Sequence, residues 1–217
     1  MRNWLFIAAA LVGFANNSFG QGEAIFANSI KSLVYTNLTT GGLPTGLTAT
    51  NANSFYYALF VAPASVTSVG NVAFNNANWT FIGDYATNAA RAGLLYGNTT
   101  ANETSVVPGY TPGASASFTV VGWSANIGST LADLKAWYAN PAVTGWIGQS
   151  AVATNMLVGG GIYPPPPIFY PIGTTTLGEI DGFTFNLVHA VPTPEPSTPA
   201  LIGGATVMLA WLRRHRK

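Results

Sequence analysis

The chain contains no cysteine. That one absence removes disulfides, thiolate nucleophiles, zinc–thiolate centres and iron–sulfur clusters, so the fold has to stand on its core alone. Charge is almost as scarce. Only 7% of residues are Asp, Glu, Lys or Arg, against ~25% in an ordinary soluble domain. The polar surface must therefore come from Asn, Thr, Ser and Gly. Between residues 21 and 190 three bases (Lys31, Arg91, Lys135) face six acids (Glu23, Asp84, Glu103, Asp133, Glu179, Asp181), a balance of −3. Binding nucleic acid needs a basic patch against the phosphates, and this stretch has none. His189 is its only histidine, which leaves little for acid–base chemistry near neutrality. No internal repeat of ~20–50 residues marks a solenoid or propeller.

What the chain does have is concentrated at its two ends. Val191 to Ser197 (VPTPEPS) is punctuated by proline, which fixes φ and removes an amide donor, so it is neither helix interior nor central strand. Pro199 to Leu212 carries no charge, and Arg213, Arg214, Arg216 and Lys217 follow it directly. A Lys or Arg at a bilayer centre costs about 2.5–3.5 kcal/mol, so an uncharged run stopped by a basic cluster reads as a membrane helix with its cytoplasmic stop. The run falls short of the ~20 residues that a spanning helix usually needs, which suits a transient anchor. This order of blocks resembles the PEP-CTERM sorting signal of exported bacterial proteins: Pro194, Glu195 and Pro196, then the apolar run from Ala200 to Leu212, then the basic end. The resemblance covers residues 191–217 alone. It implies that Pro194, Glu195 and Pro196 form the motif read by an exosortase, a membrane enzyme that removes the tail. It also implies an association with exopolysaccharide and biofilm matrix.

At the other end a basic start (Met1, Arg2, Asn3) precedes the apolar run Trp4 to Phe14 and the polar stretch Ala15 to Gly20, the layout of a signal peptide. The small residues Ser18 and Gly20 place the signal-peptidase cut between Gly20 and Gln21. The chain then divides into a signal peptide (1–20), a single domain (21–190) and a sorting signal (191–217). It is expected at the cell envelope, the cell surface or outside the cell after processing, and held at the membrane before it.

The domain reads as short strands divided by turns. Ser54 to Ala62 (SFYYALFVA) is apolar and aromatic on both faces, which predicts a central strand. Ser115 to Trp123 alternates Ser117, Thr119 and Val121 with Phe118, Val120 and Gly122, the period-2 pattern of a half-buried strand. Shorter strands are expected at Glu23 to Phe26, Ser32 to Tyr35, Trp79 to Tyr85, Arg91 to Tyr96, Trp146 to Gln149, Thr154 to Val158, Thr174 to Leu177 and Gly182 to His189. Thr39 to Asn53 and Asn98 to Gly113 read as loops. One helix is predicted, Leu131 to Ala139, with Thr130 as its cap, Asp133 completing a capping box, and Asn140-Pro141 as its stop. The fold class that follows is all-β: one antiparallel sandwich of jelly-roll type with one short helix, between the signal helix and the membrane helix.

Candidate chemistry in the domain is thin. Glu179 and Asp181 form its densest acidic pair. At spacing i, i+2 on a strand they share a face, where they could hold a cation or act as paired acid and base, although such a pair before Asp181-Gly182 is more often plain turn chemistry. Calcium would need six to eight oxygen ligands. A glycosidase would need a second carboxylate across a cleft, with Asp84 or Glu103 as formal partners. Gly148-Gln149-Ser150 is half of a nucleophile elbow without its second glycine, and His189 would have to serve it. The aromatics Trp79, Trp123, Trp137, Trp146, Tyr163 and Tyr170 are candidates for a sugar-stacking platform or for core. Gly159 to Pro167 (GGGIYPPPP) favours an extended polyproline run, read as a stiff loop packed on its own domain. The Asn-x-Thr triplets at Asn37, Asn78, Asn98 and Asn102 read as ordinary polar residues. No cofactor is expected. The leading expectation is a non-enzymatic structural or adhesive surface protein, the second a lectin-like carbohydrate-binding module, and the third a secreted hydrolase.

Overall fold

A computed structural model describes residues 20–38, 44–97, 104–169 and 179–191. All but Gly20 of the N-terminal signal and all but Val191 of the C-terminal one, including Pro194, Glu195, Pro196, Arg213, Arg214, Arg216 and Lys217, lie outside the described residues, as do Asn98, Asn102, Glu103, Tyr170 and the strand expected at Thr174 to Leu177. Among the described residues no helix is long and apolar enough to cross a membrane.

The domain is built from β1 (Gly22–Ile25), β2 (Val34–Asn37), β3 (Gly46–Leu47), β4 (Phe55–Pro63), β5 (Thr80–Asn88), β6 (Leu95–Gly97), β7 (Thr104–Val107), β8 (Ser115–Ser124), α1 (Leu131–Ala139), β9 (Gly145–Gln149), β10 (Ala153–Leu157) and β11 (Phe183–Val188). Nine strands make one sheet in the order β3-β2-β11-β9-β8-β4-β5-β6, with β10 also paired to β8, while β1 and β7 form a separate two-stranded ribbon. The main sheet curls into a half-barrel. It is mixed rather than antiparallel as expected, because β11 runs parallel to β2, with Phe183 beside Val34 and Asn186 beside Asn37. A parallel pair needs a long crossover. Here the crossover is nearly the whole domain, so no local pattern announces it.

The strands β4 and β8 are the centre, antiparallel over their full length from Phe55–Ser124 to Pro63–Ala116. Both are buried on both faces. Phe55, Tyr57, Leu59 and Val61 of β4, with Ala116, Phe118 and Val120 of β8, point into the hollow of the curl, where Phe26, Ile168, Phe169, Ile180, Phe183 and Phe185 meet them. Ala58, Phe60, Ala62, Val121 and Trp123 point the other way, under Leu131, Leu134 and Trp137 of α1 and under Phe74. The half-buried strand expected at 115–123 is therefore corrected: Ser117 and Thr119 are fully buried on the side facing α1.

Two glycines shape the curl. Gly122 of β8 and Gly148 of β9 are cross-strand partners. A Cβ on Gly122 would lie 2.6 Å from the Phe185 ring, and one on Gly148 would lie 2.9 Å from it. The pair of missing side chains leaves a slot through which Phe185 reaches from β11 to stack on Phe55 of β4, with ring centroids 5.0 Å apart. Glycines at defined strand positions are a recurring device for curving a sheet.

The helix spans the residues the capping signal predicts. Thr130 Oγ1 accepts from the Asp133 amide at 3.2 Å, and Asp133 Oδ2 accepts in return from the Thr130 amide at 3.0 Å. Tyr85 docks it on the sheet, its hydroxyl accepting from the Leu131 amide at 2.8 Å. The strands β3 and β7 fall inside stretches that composition assigns to loops, since each is short and rich in Gly, Thr or Ser.

A cleft along the polyproline segment

The strands β9 and β10 share one edge of β8, and the join between them is irregular. Gln149 stands opposite Val121, but Ala153 stands opposite Phe118, and the register shifts again between Ala153 and Met156. Ser150 fills the first break. Its hydroxyl accepts from the Val120 amide at 2.9 Å and donates to the Ala151 carbonyl at 2.7 Å. Ser150 is a buried residue in a strand break, and the helix that a nucleophile elbow would need does not follow it, β10 coming next instead. Asn155 occupies the second break in the left-handed region, φ 55°. Such a bulge re-aims a side chain out of the ladder.

Past β10 the chain turns back at Gly160 to Tyr163, whose amide and carbonyl groups exchange hydrogen bonds of 2.7 and 3.0 Å. Pro164 to Pro167 then runs beside β1, where the Ile25 amide donates to the Pro166 carbonyl at 2.9 Å. The prolines lie close on their own backbone: a Cβ on Gly159 would come within 2.3 Å of Pro165 Cα. Tyr163 rests on Gly113, where a Cβ would meet the ring at 2.9 Å. Glycine is required at both contacts by space.

Between this proline ridge and the bulged strand lies a cleft of about 500 Å³, lined by Asn155, Met156, Leu157, Tyr163, Pro164 to Pro167 and Glu179. Leu157 and Tyr163 are exposed on its rim, at 56% and 43%. Glu179 enters the wall because the next residue is tied down, Ile180 donating its amide to the Ile168 carbonyl at 2.9 Å. Glu179 Oε2 is buried and has no hydrogen-bond partner. Loss of water around the group pushes its pKa above the usual carboxylate range. An unpartnered buried oxygen of this kind costs about 1–3 kcal/mol, more when charged.

Glu179 and Asp181 do not line the cleft together. Glu179 lines the cleft, whereas Asp181 is exposed and lies outside it. Among the described residues no three Asp, Glu, His or Cys side chains gather as a metal site. Trp79, Trp123 and Trp137 are core residues, at 5%, 0% and 6% exposure, and Trp146 packs half-buried against the hollow. Of the described candidates for an aromatic platform only Tyr163 is exposed. His189 is exposed just past β11. Gly20 and Gln21 are exposed immediately before β1. A second hollow of about 390 Å³ lies beside α1, but Asp133, the one carboxylate among its described lining residues, is committed to the capping box. Tyr57 is deeply buried, and burial pushes its phenol far above the ordinary range, so it stays neutral in the core.

Sequence reasoning reached Glu179, Tyr163 and the prolines separately. It missed Asn155, because a bulge depends on the registers of two distant strands. Compared with protein-family models, curated proteins and solved structures, the chain finds no match.

Proposed function

We propose that the chain is an exported bacterial surface or extracellular-matrix protein with a structural or adhesive, non-enzymatic role, delivered by a PEP-CTERM-type tail and trimmed by exosortase. The observation that carries this reading is the order of the last blocks: Pro194-Glu195-Pro196, an uncharged apolar run, then Arg213, Arg214, Arg216 and Lys217. Signal peptidase and exosortase are the processing partners, the membrane is a transient one, and exopolysaccharide is the matrix partner. The exposed Gly20–Gln21 bond, one residue short of the first strand, supports a cut that leaves the fold intact. A surface of Asn, Thr and Ser with few charges suits a matrix role. We further read the β1–β7 ribbon facing the main sheet as the minor sheet of a lopsided sandwich, supported by Ala24 and Val107 sharing one core with β4 and β8.

Intact mass spectrometry of the protein recovered from its host surface tests the sorting. The expected mass lacks the residues before Gln21 and the residues beyond Pro194-Glu195-Pro196. Replacing Glu195 by Ala is expected to leave an uncleaved, membrane-retained chain. A surface protein with its basic C-terminus intact, or normal trimming of the variant, overturns the assignment.

A further inference from the structure

We infer that the cleft along the polyproline segment binds an uncharged, hydroxyl-rich chain, a stretch of neutral glycan, with Glu179 accepting its hydroxyl hydrogens and Tyr163 lying against a C–H face of a sugar ring. The inference deepens the adhesive reading above and rests on it for its setting.

Three features of the cleft converge on that ligand. The first is Glu179 Oε2, buried in the wall with its acceptor capacity unused. A sugar hydroxyl reaching this carboxylate would supply the donor it lacks. The second is the apolar ridge: Pro164 to Pro167, Leu157 and the exposed Tyr163 ring present C–H and π surface. A sugar ring offers both counterparts at once, hydroxyls on its rim and apolar C–H groups on its faces. The third is rigidity. Tyr163 is backed by Gly113, and the ridge is seated on Gly159, so the groups are placed before the ligand arrives, which lowers the entropy cost of binding. Asn155, aimed at the rim by its bulge, adds a donor and an acceptor.

A cation fits less well. Calcium takes six to eight oxygen ligands, and among the described residues Glu179 and Asn155 are the only oxygen-bearing side chains in the lining besides the Tyr163 hydroxyl. A lysine or arginine from a partner would meet a single carboxylate in an apolar wall, and each charge would lose water for one contact.

The test uses the full chain, purified in detergent, in native gels cast with dextran, galactomannan or methylcellulose. At least one of the three is expected to retard the protein, and the retardation is expected to persist at high salt, because no ion pair is involved. Tyr163→Ala and Glu179→Ala are each expected to weaken the interaction about tenfold or more, with Tyr163→Phe close to wild type. Unchanged melting temperatures of the variants separate lost binding from lost fold. No retardation in any gel overturns the inference. So does retardation that both alanine variants retain, which would put the site elsewhere. A rise in melting temperature with calcium or with polylysine that Glu179→Ala abolishes would assign the cleft to a cation instead. None of these outcomes depends on tail processing, so failure of the sorting reading and failure of this one remain distinct.

Discussion

Asn88, at the end of β5, is 1% exposed and spends its whole side chain on one loop. Its Oδ1 accepts from the amides of Ser54 and Phe55 at 2.8 and 3.0 Å, and its Nδ2 donates to the carbonyls of Ala49 and Asn51. Asn28 does the same for a second loop, accepting from the Leu95 amide at 2.8 Å and donating to the Ser32 and Gly93 carbonyls at 2.7 and 2.8 Å. With charge so scarce, buried amides take over the tying of loops to strands. Asn88→Ala would strand two amides and two carbonyls, and buried polar groups left unpaired cost about 1–3 kcal/mol each. Partial access of water to the loop moderates the sum, so urea unfolding is expected to show a loss of about 2–4 kcal/mol. Asn78→Ala, on the exposed surface, is expected within about 0.5 kcal/mol of wild type. The sequence draws no distinction between these residues. Asn88 and Asn78 both read as turn-formers, and only the strand register makes one of them buried.

Elements were legible in proportion to how local their causes are. The helix carries its own start and stop, Thr130 with Asp133 and Asn140 with Pro141, so its limits can be read directly from the chain. The strands β4 and β8 announce themselves by length and apolar content. Three features do not: the parallel β2–β11 pairing, the bulges of β10, and the Gly122–Gly148 slot, because each depends on residues far apart in sequence. The slot gives a sharp test. A methyl on Gly122 would meet Phe185 at 2.6 Å and Tyr57 at 2.8 Å. Both side chains are fully buried, so neither can swing away into solvent. Overpacking of this kind costs about 1–3 kcal/mol. Gly122→Ala is expected to lower the thermal midpoint measurably, and Gly122→Ala with Phe185→Leu to recover part of the loss. Full tolerance of the single substitution would mean that the ring does not fill the slot in solution.

At the scale of the whole molecule the sheet order makes the last strand central. The strand β11 lies between β2 and β9, so without it the ladder breaks and β2–β3 lose their tie to β9–β8–β4. Phe183 and Phe185 leave the hollow at the same time. A chain ended after Gly182 is therefore expected to show no cooperative unfolding transition by circular dichroism and to be digested rapidly by protease. A truncated chain with a native-like melt would show that β11 only decorates an already stable core.

On the proposed export route, that placement sets the order in which the domain can close. A chain threaded across a membrane from its first residue presents β2 early and its parallel partner nearly last. The curl cannot shut until residue 188 has emerged, only a few residues before the proline-rich tail begins. On that route closure would come only when translocation is almost complete.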